Sequence, residues 1–138
     1  MGEILNVDTK LIRPTQNYLE QVTIDYYKNK YKGKPNPLPV PVMIDLFDQR
    51  FYRAIDGHHN LAVSHNYFGH ANLWVIESPR DLMTKYTFPN VNENFLKECN
   101  KQIRRRFQTI PFYVPTNNNG EDILNLDQLI KENKIELN

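Results

Sequence analysis

Cysteine is all but missing from this chain: Cys99 stands alone. A single cysteine excludes an internal disulfide and a multi-cysteine zinc site. Its setting has Phe95, Cys99, Ile103 and Phe107 at four-residue intervals, the spacing of one helix face, so Cys99 is expected to be a small buried hydrophobe. Net charge is nearly missing too. The 17 Lys and Arg against 16 Asp and Glu leave +1, which gives no global electrostatic case for nucleic acid. Binding of that kind requires a local patch. No apolar run approaches the roughly 20 residues of a membrane span. Met1-Gly2-Glu3-Ile4 begins no secretion signal, and Asn6 stands where a myristoylation motif wants Ser or Thr. The expectation is a cytoplasmic, reducing setting with no membrane partner.

What is present suffices for one domain of ordinary size. The chain has 138 residues, 40% of them hydrophobic and 24% charged, ample for a single core. There are no internal repeats. Leu11-Ile12 is a short apolar step ending at Arg13-Pro14. Thr15 is placed as an N-cap, with Gln16 and Asn17 in the first helical turn. Apolar spacing through Tyr18, Leu19, Val22 and Tyr26 predicts that this helix runs to Lys32-Gly33. Lys34-Pro35-Asn36-Pro37-Leu38-Pro39 reads as a stiff extended connector into the sheet.

Residues 40–47 read as a strand. Asp48-Gln49 turns the chain, and residues 51–55 return as its hairpin partner. Asp56-Gly57-His58-His59 follows, then a helix predicted over 60–68 and closed by Gly69. Asn72-Leu73-Trp74-Val75-Ile76 is a third, buried strand, making the strand–helix–strand unit a candidate right-handed crossover. Residues 79–89 are irregular. The helix bearing Cys99 carries Lys97, Lys101, Arg104 and Arg105 on its other face. Phe112-Tyr113-Val114 is a candidate edge strand, Asn117-Asn118-Asn119-Gly120 a loop, and 126–133 a final amphipathic helix.

A strand, a tight glycine turn and a helix start make an anion site, because free N–H groups and the positive end of the helix dipole point at the turn. Here that turn also carries three titratable side chains, Asp56, His58 and His59. With Arg13-Pro14-Thr15-Gln16 before the first helix, two helix starts bear polar side chains that can face one anionic ligand.

These two segments, Arg13-Pro14-Thr15-Gln16 and Tyr52-Arg53-Ala54-Ile55-Asp56-Gly57-His58-His59, resemble the ParB/sulfiredoxin superfamily over residues 10–77. The branch most similar is that of the ParB-like nucleases, which show a Pro-Thr-Gln helix start, a hydrophobic hairpin and Asp-Gly-His-His running into a helix. The resemblance implies an α+β fold with a small mixed sheet and flanking helices. The organisation it implies is one domain, 1–138, with a motif-bearing core at about 10–77 and a helical part at about 90–138. Departures narrow the function. Sulfiredoxins carry Gly-Cys-His-Arg where this chain has Gly57-His58-His59-Asn60, so sulfinic acid reduction is excluded. Asn60 also replaces the arginine of partition-type ParB proteins, and no helix-turn-helix domain follows, which argues against DNA clamping. Free-serine kinases of the superfamily place a catalytic Glu where Gln16 stands, although Glu20 lies one turn on.

The implied function is a ParB-like nuclease or phosphate-binding domain acting on a nucleotide or nucleic acid. The alternatives are a nucleotide-dependent small-molecule kinase and a non-catalytic module that binds a nucleotide, nucleic acid or protein. The catalytic candidates are His59, His58 and Asp56. The phosphate- or nucleotide-binding candidates are Gly57, Arg13, Thr15, Gln16 and Asn60, with Lys28 as further charge. Asp56 is the carboxylate that would take Mg²⁺. Each role has a structural rival: Asp56 as a helix cap, one of the two histidines turned inward, Gln16 as a first-turn residue, Arg13 and Lys28 at the surface. Three further constellations stand beside the motif. His58, His59, His65 and His70 have the spacing for a transition metal with Asp56, Arg104-Arg105-Arg106 is a basic run, and Tyr26, Tyr27, Tyr31, Phe112 and Tyr113 are stacking or core residues.

Overall fold

A computed structural model of the chain describes residues 3–31, 39–76 and 113–137. The connector 34–38, the irregular stretch 79–89, the helix bearing Cys99, the Arg104-Arg105-Arg106 run and Phe112 lie outside the described residues. Within them the protein is an α+β fold on one five-stranded mixed sheet. Its strands are β1 (Glu3–Asp8), β2 (Ile12–Arg13), β3 (Val40–Ile44), β4 (Tyr52–Ala54) and β5 (His70–Val75), in the spatial order β1-β5-β3-β4-β2. The described helices are α1 (Gln21–Lys30), α2 (His58–Tyr67) and α3 (Leu126–Glu132).

β3 and β4 form the expected antiparallel hairpin. The strand predicted over 40–47 stops at Ile44 because Asp45 takes over the backbone. Its Oδ1 accepts the N–H groups of Phe47 (2.7 Å) and Asp48 (3.1 Å), which closes a turn where strand pairing would continue. β5 runs parallel to β3, not to β4, and β3 lies between the two. The parallel crossover therefore joins β3 to β5 and includes both β4 and α2. The unit 51–76 is not itself a crossover.

β1, which sequence spacing alone did not single out, pairs antiparallel with β5 over six residues, from Glu3↔Val75 to Asp8↔His70. Its alternation of Leu5 and Val7 against Ile4 and Asn6 is the period-2 pattern of a half-buried strand. Leu5 and Val7 pack on the core, while Ile4 is exposed. That core joins Val40, Val42, Ala54, Leu73 and Val75 on one face of the sheet to Leu61 and Ala62 of α2 and Leu126 and Leu129 of α3. Met43, Arg53 and Trp74, which alternate with those strand residues, are buried as well, so the centre of the sheet is covered on both faces.

Two helix starts differ from expectation. α1 begins at Gln21 with Glu20 as its N-cap residue, and residues 14–20 form an irregular segment. Thr15 and Gln16 are therefore not at a helix start. α2 begins at His58, two residues early, because Gly57 adopts the left-handed conformation (φ +79°) and serves as the N-cap. Gly69 (φ +73°) follows its end as expected, its N–H bonding Ser64 O. Tyr113 and Val114 are not in a strand; Thr116 instead makes an isolated bridge to Asp122 around the 117–120 turn.

α1 also faces the other way from its apolar spacing. Ile24 is buried, and Tyr27 packs on the core, but Val22 is 81% exposed. Val22→Ala is thus expected to change unfolding free energy by less than about 0.5 kcal/mol. Leu61→Ala, at a fully buried site, should cost about 2–5 kcal/mol. Denaturant unfolding of the two variants checks the orientation of α1; equal losses would contradict it.

Candidate functional site

The irregular segment 14–20 is held against the start of α2 by two adjacent histidines. Thr15 N–H donates to His58 Nε2 (2.9 Å), and Glu20 N–H donates to His59 Nε2 (3.0 Å). An imidazole nitrogen that accepts carries no proton, so in each neutral ring the proton sits on Nδ1. His58 is fully buried, and Thr15 beside it donates its hydroxyl to Ala54 O (2.5 Å). Gln16 is buried and donates from Nε2 to Tyr18 O (2.8 Å). Asn17 exchanges bonds with the C-terminal segment, to Thr116 O (3.3 Å) and from Asn133 Nδ2 (3.1 Å). A stretch without regular structure is in this way pinned at nearly every residue, which satisfies backbone groups that no helix or sheet serves.

The two motif segments therefore do meet, but not as two helix starts. Of the two segments, only Asp56–His59 runs directly into a helix start. Gly57 supplies no capping side chain, and no side-chain cap is made there. Asp56 Oδ1 accepts Gly57 N–H (2.8 Å). Asn60 is buried inside the first turn and accepts weakly from Ser64 Oγ (3.4 Å).

His59 is half-buried with Tyr18 edge-on to it (6.5 Å between ring centres). Burial holds its pKa below the ordinary 6.5, against the opposing pull of Glu20 and Asp56. The accepted Glu20 N–H works in the same direction, since protonating Nε2 would break that bond. Both carboxylates thus lie within electrostatic reach of the ring. Glu20, noted in the sequence only as lying beyond Gln16, is brought beside His59 by the fold. Its signal was the four-residue step from Gln16.

Arg13 and Lys28 fare differently. Arg13 is not a surface residue without a partner. Its Nη1 meets Asp45 Oδ2 (3.1 Å), and its guanidinium stacks on Phe51 (4.1 Å to the ring centre). Asp45 is buried and also faces Arg53 Nε (3.7 Å), while Arg53 Nη2 donates to Tyr113 O. Burial lowers the Arg53 pKa, and Asp45 opposes this. Asp45 is thus the hub of the hairpin base, a role no motif announced. Lys28 is half-buried on α1.

The four histidines do not converge. His65 bridges Thr9 Oγ1 (2.6 Å) and Asp127 Oδ1 (2.7 Å), tying α2 to α3, and His70 Nδ1 meets Asn6 Nδ2 (3.1 Å). Among the described residues no group of three or more His, Cys, Asp or Glu side chains is placed to hold a metal ion. Tyr26 is exposed, not a core residue, while Tyr27 and Tyr31 stack on each other (6.1 Å).

Two outcomes check this geometry. At Gly57 an added Cβ would lie 3.1 Å from Val40 Cγ1 in a backbone region that disfavours side chains. Gly57→Ala should cost at least about 1–2 kcal/mol from backbone conformation alone. Adding Val40→Ala should not recover that part in denaturant unfolding, whereas full recovery would mean the left-handed backbone is wrong. The second outcome concerns pH. The folded chain resists protonation at His59 more than the unfolded chain does, so its contribution to stability is present above pH 6.5 and is lost as pH falls through the lower folded value. His59→Gln should remove this part of the pH dependence of unfolding between pH 8 and 5. An unchanged pH slope would contradict it.

No family model matches the chain, and no curated protein matches it. Among solved structures it is similar to protein Atu1540 from Agrobacterium tumefaciens, with a TM-score of 0.53 and 17% identity. The match covers 92% of this chain and 61% of that one, so this chain spans less than two thirds of its neighbour's length. At that identity the likeness shows a shared fold. No described helix is long and apolar enough to cross a membrane.

Proposed function

We propose that the chain is a ParB-like phosphate-binding domain that acts on a nucleotide or nucleic acid at the Asp56–Asn60 turn. The observation that carries this reading is the bond from Thr15 N–H to His58 Nε2. It joins the two segments on which the superfamily resemblance rests, at a helix start whose N-cap residue makes no side-chain cap. The first-turn N–H groups of α2 and its dipole are the primary phosphate donors. His59, neutral near pH 7, donates a hydrogen bond from its Nδ1–H to a phosphate oxygen. His58 and Thr15 position the turn and do not contact the ligand. Gln16 and Arg13 act at one remove, by fixing Tyr18 and the hairpin base.

Phosphoryl chemistry asks for positioned phosphates and neutralised charge, with little covalent help. A phosphate placed between Asp56 and Glu20 is repelled unless a cation stands among them, and for this reason the reading includes Mg²⁺. Bound there, Mg²⁺ would polarise the phosphoryl group. Glu20 favours a second reading, nucleotide-dependent phosphate transfer to a small hydroxyl acceptor. It sits at the N-cap of α1 with its backbone on His59, where a carboxylate can take the acceptor's proton.

Thermal unfolding with adenosine, guanosine and cytidine phosphates and a short oligonucleotide, with and without Mg²⁺, tests the reading. A ligand at a hundred times its Kd stabilises the fold by about 2.7 kcal/mol. The expected result is a Mg²⁺-dependent rise in Tm that His59→Ala and Asp56→Ala both abolish. No rise with any of these ligands would overturn it. Turnover that requires a hydroxyl acceptor and disappears in Glu20→Gln would select the kinase reading over hydrolysis.

A further inference from the structure

Tyr27 is a half-buried phenol with no part in the site as described so far. It lies on the inward face of α1. Glu20, Ile24, Tyr27 and Tyr31 recur at the spacing of one helix face, and Ile24 among them is fully buried. Ile24 and Tyr27 pack in the core that includes Leu61 and Ala62 of α2. Two groups of this face meet the start of α2. At the N-terminal end of α1, Glu20 N–H bonds His59 Nε2 (3.0 Å). Two turns on, Tyr27 comes within electrostatic reach of Asp56, the residue before Gly57. α1 therefore runs along the Asp56–Asn60 turn, with Glu20 at the level of His59 and Tyr27 at the level of Asp56.

The ring of Tyr27 is fixed and its hydroxyl is not. The ring stacks on Tyr31 (6.1 Å between centres, 13° between planes), and Tyr26 packs edge-on against it (5.4 Å). The hydroxyl makes no hydrogen bond among the described residues. A half-buried Tyr usually finds a partner for its O–H, and a rigid ring loses little freedom when a ligand supplies one. Burial pushes the phenol pKa up, and Tyr31, Tyr26 and Asp56 add to this against the pull of Lys30. The group stays protonated and serves as a donor, not as a base. A neutral donor also suits the place. A lysine or arginine there would be drawn to Asp56 and Glu20, whereas a phenol keeps its O–H for an incoming oxygen. We propose that the Tyr27 hydroxyl donates to a phosphate oxygen of the ligand at the start of α2, so that α1 forms the second wall of the site. The proposal rests on the phosphate-binding reading of the Asp56–Asn60 turn.

Titration calorimetry of the full chain with inorganic phosphate and with adenosine, guanosine and cytidine monophosphates, all with Mg²⁺ present, tests it. Wild type is compared with Tyr27→Phe and His59→Ala. Tyr27→Phe should raise Kd by about tenfold, the effect of one lost hydrogen bond to a charged group. The same loss should appear with inorganic phosphate and with whichever nucleotide binds, and it should be equal at pH 7 and pH 9. The ligand-free Tm should stay at the wild-type value, because the hydroxyl holds nothing in the fold; a merely structural Tyr27 would lower it. Binding that survives Tyr27→Phe but not His59→Ala would overturn the proposal and leave the phosphate reading standing. A loss seen with nucleotides and not with inorganic phosphate would move the contact to sugar or base, and so overturn it as well. A wild type that binds none of these probes would overturn both.

Discussion

The bond between Thr15 N–H and His58 Nε2 is the constraint on which the site depends. A buried amide without a partner costs about 1–3 kcal/mol, and residues 14–20 have no helix or strand to serve theirs. His58 meets that need at Thr15, and His59 meets it again at Glu20. Each ring is thereby committed to one tautomer. The pair also sets where α1 begins, because Glu20 is at once the donor to His59 and the N-cap residue of α1. One dipeptide at the start of α2 so fixes the approach to the other long helix.

Around that constraint the molecule divides its labour. Asp45 gathers the charges of Arg13 and Arg53 at the base of the β3–β4 hairpin, which keeps the strand leading into the Asp56 turn in place. His65, at the other end of α2, ties that helix to Asp127 of α3 and to Thr9. Gln21 exchanges two bonds with Glu136, and Tyr67 donates to Leu137 O, so the C-terminal segment closes over the first turn of α1 and the last turn of α2. The N-terminus of α2 is left without a side-chain cap in the middle of this well-satisfied frame. Proteins that leave such a terminus open beside titratable groups commonly use it for an anion.

Much of the frame was legible in the residues. The hairpin, the Asp-Gly turn, the helix ending at Gly69 and the C-terminal helix follow from alternation, helical spacing and glycine placement, all local signals. What could not be read is non-local. Thr15 has every local property of an N-cap, yet its hydroxyl goes to Ala54 O, 39 positions away. Val22 and Tyr26 have core spacing, but which face of α1 turns inward depends on where His59 holds its start. The motif placed His58 and His59 at the candidate site; their neighbours across the fold decide that His58 supports the turn while His59 faces two carboxylates. Asp45 was silent because its importance comes from two arginines on strands that meet only in the folded sheet.

The account rests most directly on the protonation of two rings, and side-chain ¹⁵N nuclear magnetic resonance of the histidines reads it. At pH 7.5 His58 and His59 should both show an unprotonated, hydrogen-bonded Nε2 and a protonated Nδ1. A protonated Nε2 in either ring would contradict the account. It would free the backbone of residues 14–20 from α2 and remove the geometry on which the proposed phosphate site rests.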